Sequence, residues 1–127
     1  MKRLKIEALA KSVPEMKVSN DDLAEFIDTS DEWISQRTGI KTRHVSLEDN
    51  TSGLCAKTAE ALLSRTSTDA SEIDLIIVAT MTPDSATPST AAIVQGRIGA
   101  KNAVAFDISA ACSGFVYALI TAASMLD

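Results

Sequence analysis

Cys112 is the residue whose type and position could support covalent chemistry. It lies in AFDISAACSGFVYALITAASML, residues 105–126, where a strand-like run passes into a long apolar segment. If a helix begins there, its unpaired backbone amides and its dipole favour a thiolate at Cys112. Such a thiolate could be a nucleophile, and the same amides could stabilise an oxyanion. Simple packing of the cysteine in a core is the alternative.

Trp33 and Arg37 form a second candidate site. They lie four residues apart and therefore share one face of a helix. An aromatic plane beside a guanidinium could hold an adenine ring and a phosphate. From the spacing alone, we favour the alternative in which Trp33 covers the edge of the core and Arg37 extends over it.

Other reactive side chains carry weaker signals. The single histidine, His44, lies in the polar stretch KTRHVS, and nothing in the sequence places it beside Cys112, so we expect a surface or loop histidine. Cys55 falls on the apolar face of an amphipathic segment and is expected in the core. Neither a CxxC pair nor a Cys/His cluster is present, so we expect no metal site and a reducing, cytoplasmic environment.

Composition limits the possible partners and the possible location. The 127 residues include 12 Lys and Arg against 17 Asp and Glu, a net charge of −5, which argues against nucleic acid. Glu7 and Lys11 interrupt any secretion signal. The uncharged run Ile108–Leu126 approaches the length of a membrane span, but its Ser, Thr and Gly content favours a helix enclosed by protein on every face. Because 127 residues supply few elements to enclose it, we expect the front part of something larger.

Strands alternating with helices predict an α/β fold with βαβ crossovers and a mainly parallel sheet in a single domain, residues 1–127. We expect Ser19 or Asn20 to be the N-cap of the first helix, Thr29 and Glu32 to form a capping box at the second, and Gly39 to end that second helix. Pro88 should lie at or near the start of a helix that ends around Gly99, and Thr87 could be its N-cap. The expected elements are an opening strand over 4–14, helices near 19–28, 29–39, 51–67, 88–99 and 112–126, a loop or edge strand over 40–50, and strands near 72–81 and 102–109.

Three segments together resemble the β-ketoacyl-ACP synthase III family, the condensing enzymes that start fatty acid synthesis on acyl carrier protein (ACP). They are DTSDEWISQRTGI at 28–40, IIVATMTPDSATPSTA in the centre, and AFDISAACSGFVYAL around Cys112. The resemblance implies the N-terminal half of a thiolase-like, layered αβαβα fold, with the helix after Cys112 buried at its centre and the C-terminal half absent.

Carried over residue by residue, the resemblance implies that Cys112 is the acylated nucleophile and that its backbone N–H is an oxyanion donor. Trp33 would pack on the adenine of coenzyme A (CoA), with Arg37, Thr29 and Thr38 lining the nucleotide and pantetheine route. Thr87 would bound the primer pocket of a neighbouring subunit in a homodimer.

The implied partners are an acyl-CoA and malonyl-ACP, with CoA acting as substrate and no further cofactor, nucleic acid or membrane involved. The family's catalytic His and Asn would lie in the other half of the fold, and His44 does not match that His. The chain alone could therefore accept an acyl group but not condense it. Two alternatives stay open: another thiolase-fold enzyme, of the hydroxymethylglutaryl-CoA synthase or polyketide starter type, and a non-catalytic dimerisation or complementation module.

Overall fold

The computed structural model describes residues 5–125, and the chain divides into two compact units. The smaller unit is Val13–Asp49, and the larger unit combines residues 1–12 with 50–127. Within residues 5–125 the elements in chain order are β1 Met16–Ser19, α1 Asn20–Ala24, α2 Asp31–Thr38, β2 Thr42–Val45, α3 Thr51–Thr66, β3 Leu75–Ala79, α4 Thr90–Ile98, β4 Val104–Ile108 and α5 Gly114–Met125, with short 3-10 turns at Ala70–Glu72 and Ala111–Ser113.

The smaller unit is built on an antiparallel strand pair and two short helices. β1 pairs with β2 so that Met16 lies opposite Val45, which confirms the edge-strand alternative for the segment after residue 40. Ser19 caps α1 through a complete capping box, because its side chain accepts from the Asp22 amide while the Asp22 carboxylate accepts from the Ser19 amide.

The start of α2 differs from the expectation by one residue. Ser30, rather than Thr29, is the N-cap, and its Oγ accepts from the Trp33 amide at 3.1 Å. The predicted Thr29–Glu32 capping box is therefore wrong, because adjacent Thr and Ser can both cap and tertiary contacts select between them. Gly39 ends the helix as predicted, with φ of 71°, a left-handed conformation that glycine adopts without strain.

The larger unit holds the parallel strands. β3 and β4 pair in parallel, with Leu75 opposite Val104 and Ala79 opposite Ile108, and α4 is the crossover helix between them. Their sequences are rich in branched apolar residues, as expected for strands covered on both faces. This confirms the α/β class. Among residues 5–125, the buried apolar residues all belong to this unit: Ala56, Val78, Ala91, Val94, Ala100 and Ala103.

The opening strand predicted over 4–14 is wrong for residues 5–14, which form neither strand nor helix; Leu4 lies outside the described residues. A strand needs a hydrogen-bonded partner, and here the Leu9 carbonyl instead accepts from Arg65 Nη1 at 2.6 Å.

The start of α4 also lies later than expected. Ser89 is its N-cap, with Oγ accepting from the Ala92 amide at 3.2 Å, so Thr87 is not the cap and Pro88 precedes the helix. Gly99 ends the helix as predicted, in the left-handed conformation.

Helix α5 confirms the predicted helix after Cys112 but not its complete enclosure within residues 5–125. Gly114 is its buried residue, because the start of the helix packs on β3. Among residues 5–125, several large apolar side chains of the helix are more than half exposed: Phe115, Val116, Tyr117 and Ile120. Among residues 5–125, no helix is long and apolar enough to cross a bilayer.

Candidate active site

Cys112 lies in the short turn that joins a buried strand to a helix. β4 ends at Ile108, the 3-10 turn covers Ala111–Ser113, and α5 begins at Gly114. The Ser113 amide donates to the Ala110 carbonyl at 3.0 Å and closes the turn. The predicted location between strand and helix is confirmed. The carboxyl end of a parallel strand is the edge at which open α/β sheets place their binding sites.

The backbone of this turn is strained immediately before the thiol. Ala111 has φ of 45°, in the left-handed region that costs a residue with a Cβ about 1 kcal/mol. Cys112 is exposed. Among residues 5–125, no group accepts a hydrogen bond from the Cys112 amide. The turn therefore presents an accessible thiol beside a backbone donor that an oxyanion could use.

Close packing under the turn sets where α5 begins. A Cβ built on Gly114 would lie 3.1 Å from the Ala79 Cβ at the end of β3. This separation is shorter than an ordinary contact, so a side chain here would force the helix and the sheet apart by a few tenths of an ångström. Gly114 thus sets the distance between the start of α5 and the end of β3.

A carboxylate in β4 anchors the neighbouring helix. Asp107 Oδ2 accepts from the Thr90 amide and Oδ1 from the Ala91 amide, both at 2.7 Å. These amides are two of the unpaired donors at the start of α4, and the negative charge also complements the helix dipole. Asp107 ties α4 to the strand that leads into the Cys112 turn. Sequence reasoning did not single out this contact, since a lone Asp in a strand carries no distinguishing signal.

An open apolar cavity of about 850 Å³ reaches Cys112 within the larger unit. Its walls are apolar side chains of α3, β3 and α5, among them Leu54, Leu62, Ile77, Phe115 and Leu119, and both cysteines contribute to the lining. A chain attached to Cys112 would meet an apolar surface here.

The two cysteines differ in their surroundings, because Cys55 is half-buried and Cys112 is exposed. Burial raises the pKa of the Cys55 thiol above its ordinary value, and the negative charges of Asp84 and Asp107 raise it further. Cys55 therefore stays protonated and weakly nucleophilic at neutral pH, consistent with the packing role expected for it. Cys112, which is exposed, is the better candidate for covalent chemistry.

The predicted nucleotide residues lie together in the smaller unit. The guanidinium of Arg37 stacks over the Trp33 ring, 4.3 Å from its centroid. Arg37 thus extends over Trp33 as expected, and Trp33 is 54% exposed, so part of it stays accessible to solvent. Thr38 donates to the Ile34 carbonyl at 2.8 Å and accepts from the Ile40 amide at 3.0 Å, so it stabilises the helix end. Thr29 is half-buried just before the helix cap.

The other predicted residues are placed as follows. Thr87 is exposed in the loop between β3 and α4, in the larger unit with Cys112. His44 lies on β2 in the smaller unit, and its Nδ1 donates to the Pro14 carbonyl, with 2.6 Å between the atoms. Because a carbonyl only accepts, Nδ1 carries the proton, and the histidine is exposed as expected. Within residues 5–125, no three His, Cys, Asp or Glu side chains are grouped to hold a metal ion.

Comparison with known proteins shows which proteins this chain is similar to. The family model described as 3-Oxoacyl-[acyl-carrier-protein (ACP)] synthase III matches residues 106–127, the segment that contains Cys112. The β-ketoacyl-ACP synthase III of Streptococcus sanguinis (strain SK36) is 60% identical over 121 residues, which is 95% of this chain and 37% of that protein.

Solved structures show the same fold. The crystal structure of the synthase III from Aquifex aeolicus VF5 superposes with a TM-score of 0.88 at 45% identity, over 92% of this chain and 38% of that one. The priming β-ketosynthase of the R1128 polyketide pathway gives 0.82 at 36% identity, over 87% and 34%. The resemblance seen in the sequence is confirmed, and so is the thiolase-like fold. The chain spans 37% to 39% of the length of the curated relatives it matches.

Proposed function

We propose that this chain, a homologue of the N-terminal part of β-ketoacyl-ACP synthase III, carries the acyl-accepting and CoA-binding part of a condensing enzyme of fatty acid synthesis. The observation that carries the proposal is the turn at Cys112. There an exposed thiol, an unpaired backbone amide and an apolar cavity meet at the carboxyl end of a parallel strand.

The first step is a thioester exchange. The Cys112 thiolate attacks the carbonyl carbon of a short acyl-CoA, and the Cys112 amide donates to the oxyanion that forms. As the intermediate collapses, the new carbon–sulfur bond to Cys112 remains and the bond to CoA breaks. CoA leaves as a thiolate and takes up a proton from water, so one thioester replaces another and the substrate supplies all the chemistry without a further cofactor.

Residues of the smaller unit would bind the nucleotide part of CoA. The exposed side of the Trp33 ring offers a stacking surface for adenine, and Arg37 offers a positive charge for a phosphate. Thr29 and Thr38 would line the same route. Thr87, short and exposed, would leave room for longer or branched primers at the pocket of a neighbouring subunit in a homodimer.

The second step would be decarboxylation of malonyl-ACP and attack of the resulting carbanion on the Cys112 thioester, in the cytoplasm. This step needs groups that stabilise the carbanion. His44 does not match the His used by the family, and its Nδ1 is already committed to Pro14. We therefore expect the 127-residue chain to be acylated without condensing. Neither the alternative of a hydroxymethylglutaryl-CoA synthase or polyketide starter type nor the non-catalytic module is favoured, because relatives that match the chain at 56% to 60% identity are synthase III enzymes.

The test is acylation by radiolabelled acetyl-CoA followed by peptide mapping. We expect one label per chain on the peptide containing Cys112, with one equivalent of free CoA released. A Cys112→Ala variant should lose the label and a Cys55→Ala variant should keep it, so the two cysteines serve as matched controls. Equal labelling in Cys112→Ala would refute the assignment. Adding malonyl-ACP should yield no condensation product from this chain. Efficient condensation would refute the proposal that this chain accepts the acyl group without condensing it.

A further inference from the structure

We propose that Asn20 is a positioning residue for the nucleotide site, because its buried amide sets the orientation of α2 and hence of the Trp33–Arg37 pair. This inference rests on the proposed CoA-binding role of α2. Asn20 is 1% exposed, among the most buried polar residues that the structure describes, although most residues of its short helix are exposed.

The Asn20 side chain holds both ends of α2. Its Nδ2 donates to Asp31 Oδ1 at 2.7 Å, at the first residue of the helix, and to the Ile40 carbonyl at 2.8 Å, just beyond the Gly39 cap. Ser35 Oγ, in the middle of the helix, lies 3.4 Å from the same nitrogen. One amide group thus fixes the start, the middle and the end of an eight-residue helix.

The other side of the amide is held by an arginine from β2. Arg43 Nη2 donates to Asn20 Oδ1, and Arg43 Nη1 donates to the Ser19 carbonyl at 2.7 Å. These contacts decide which way the amide faces, because only the carbonyl oxygen can accept from a guanidinium. Nδ2 is therefore directed at α2. With donors and acceptor all engaged, replacement by a residue of different polarity leaves buried partners unpaired.

The geometry of α2 separates an anchored face from a free face. Asp31 and Ser35 lie four residues apart on the side facing Asn20, and they also bond to each other at 2.9 Å. Trp33 and Arg37 are also four residues apart, and each follows a member of the Asp31–Ser35 pair by two positions. Two positions correspond to a rotation of about 200° around the helix axis. The anchor and the stacking pair therefore lie on opposite sides, so rotation of α2 about its axis would move the indole directly.

The expected effect of Asn20→Ala is weaker CoA binding by a folded chain. Trp33 is the only tryptophan, so its fluorescence reports both the nucleotide site and the orientation of α2. Base stacking on an aromatic side chain strengthens binding by about 5- to 140-fold. Partial misplacement of the indole should therefore raise the Kd for CoA about tenfold.

The control is Ser19→Ala, which removes the N-cap of α1 in the same unit but leaves the side-chain contacts of Asn20 with α2 intact. It should lower stability while leaving the Kd within about twofold of the parent chain. Asp31→Ala should weaken CoA binding as Asn20→Ala does. Asp31→Asn, which retains an acceptor oxygen for the Asn20 amide, should weaken it less.

Near-UV circular dichroism of Trp33, measured without ligand, separates this inference from the proposed function. If the parent chain does not bind CoA, the proposed nucleotide site fails, whereas positioning is still tested by the tryptophan band. Asn20→Ala should alter that band and Ser19→Ala should not. An unchanged band in folded Asn20→Ala, or a Kd within twofold of the parent, would overturn the positioning role.

Discussion

Loss of the Asp107 carboxylate should loosen the crossover helix beside the Cys112 turn. In Asp107→Ala, the Thr90 and Ala91 amides lose the acceptors that lie 2.7 Å away. Thr90 is fully buried, so water cannot readily replace the lost acceptor there. Helix α4 then begins with two unpaired donors in a partly buried place.

The magnitude follows from these two bonds. Hydrogen bonds to a charged group contribute about 1.5–3 kcal/mol each, and the favourable position at the helix N-terminus adds up to about 1 kcal/mol. Because Asp107 is only half-buried, solvent replaces part of this, and we expect a loss of about 3 kcal/mol in the free energy of unfolding. Asp107→Asn should lose nearly as much stability. Its amide nitrogen would replace one of the two carboxylate oxygens, so one backbone amide of α4 would face a donor instead of an acceptor.

The assay combines urea unfolding, followed by far-UV circular dichroism, with hydrogen exchange at individual amides. Asp69→Ala is a matched control, because Asp69 accepts from the Ser71 amide at 2.9 Å in an exposed 3-10 turn. It should cost much less than Asp107→Ala, because water can replace the exposed Asp69 carboxylate as an acceptor. Faster exchange at Thr90 and Ala91 should accompany Asp107→Ala. Unchanged exchange there, or equal destabilisation by the two variants, would refute the anchoring argument.

Two further outcomes follow from contacts in each unit. Gly114→Ala should destabilise the chain by about 1 kcal/mol in urea unfolding, because overpacking against the Ala79 Cβ outweighs the better helix propensity of alanine. Adding Ala79→Gly to that variant should restore part of the lost stability. If it restores none, the steric cause is contradicted. Hydrogen bonds from Lys41, Asn20 and Ser35 lower the pKa of Asp31 to about 2, so its contribution to stability is complete above the unfolded pKa near 4 and is lost as the pH falls toward 2. Trp33 fluorescence measured during acid titration should show this loss, and Asp31→Asn should reduce the dependence on pH over that interval.

Local patterns predicted much of the chain. Gly39 and Gly99 ended helices where left-handed residues were expected, and Ser19 capped α1, because these effects depend on neighbours a few residues away. Local patterns predicted the N-cap less well where two nearby residues could each serve as the cap. Ser30 replaced Thr29 as a cap, and Ser89 replaced Thr87, because both neighbours offer a hydroxyl and the surrounding structure chooses.

The opening segment shows the limit of local patterns for strands. Residues 5–14 carry a strand-like sequence. A strand forms only where a second strand lies alongside it, and a backbone carbonyl without such a partner can accept a hydrogen bond from a side chain instead. The Leu9 carbonyl bonds to Arg65 instead. No window of a few residues contains that information.

The sequence by itself determined the chemical identity of the candidate site: a cysteine between strand and helix, a Trp–Arg pair at helical spacing, and the motifs shared with condensing enzymes. Only the tertiary structure decided how these parts are held. Asn20 acts through Asp31, at the start of α2, and Ile40, just beyond that helix, which lie 11 and 20 residues away in the chain. Asp107 acts through Thr90 and Ala91, at the start of α4, which lie 17 and 16 residues away. Hydrogen bonding over such separations depends on how the elements pack, which residue type and spacing do not specify.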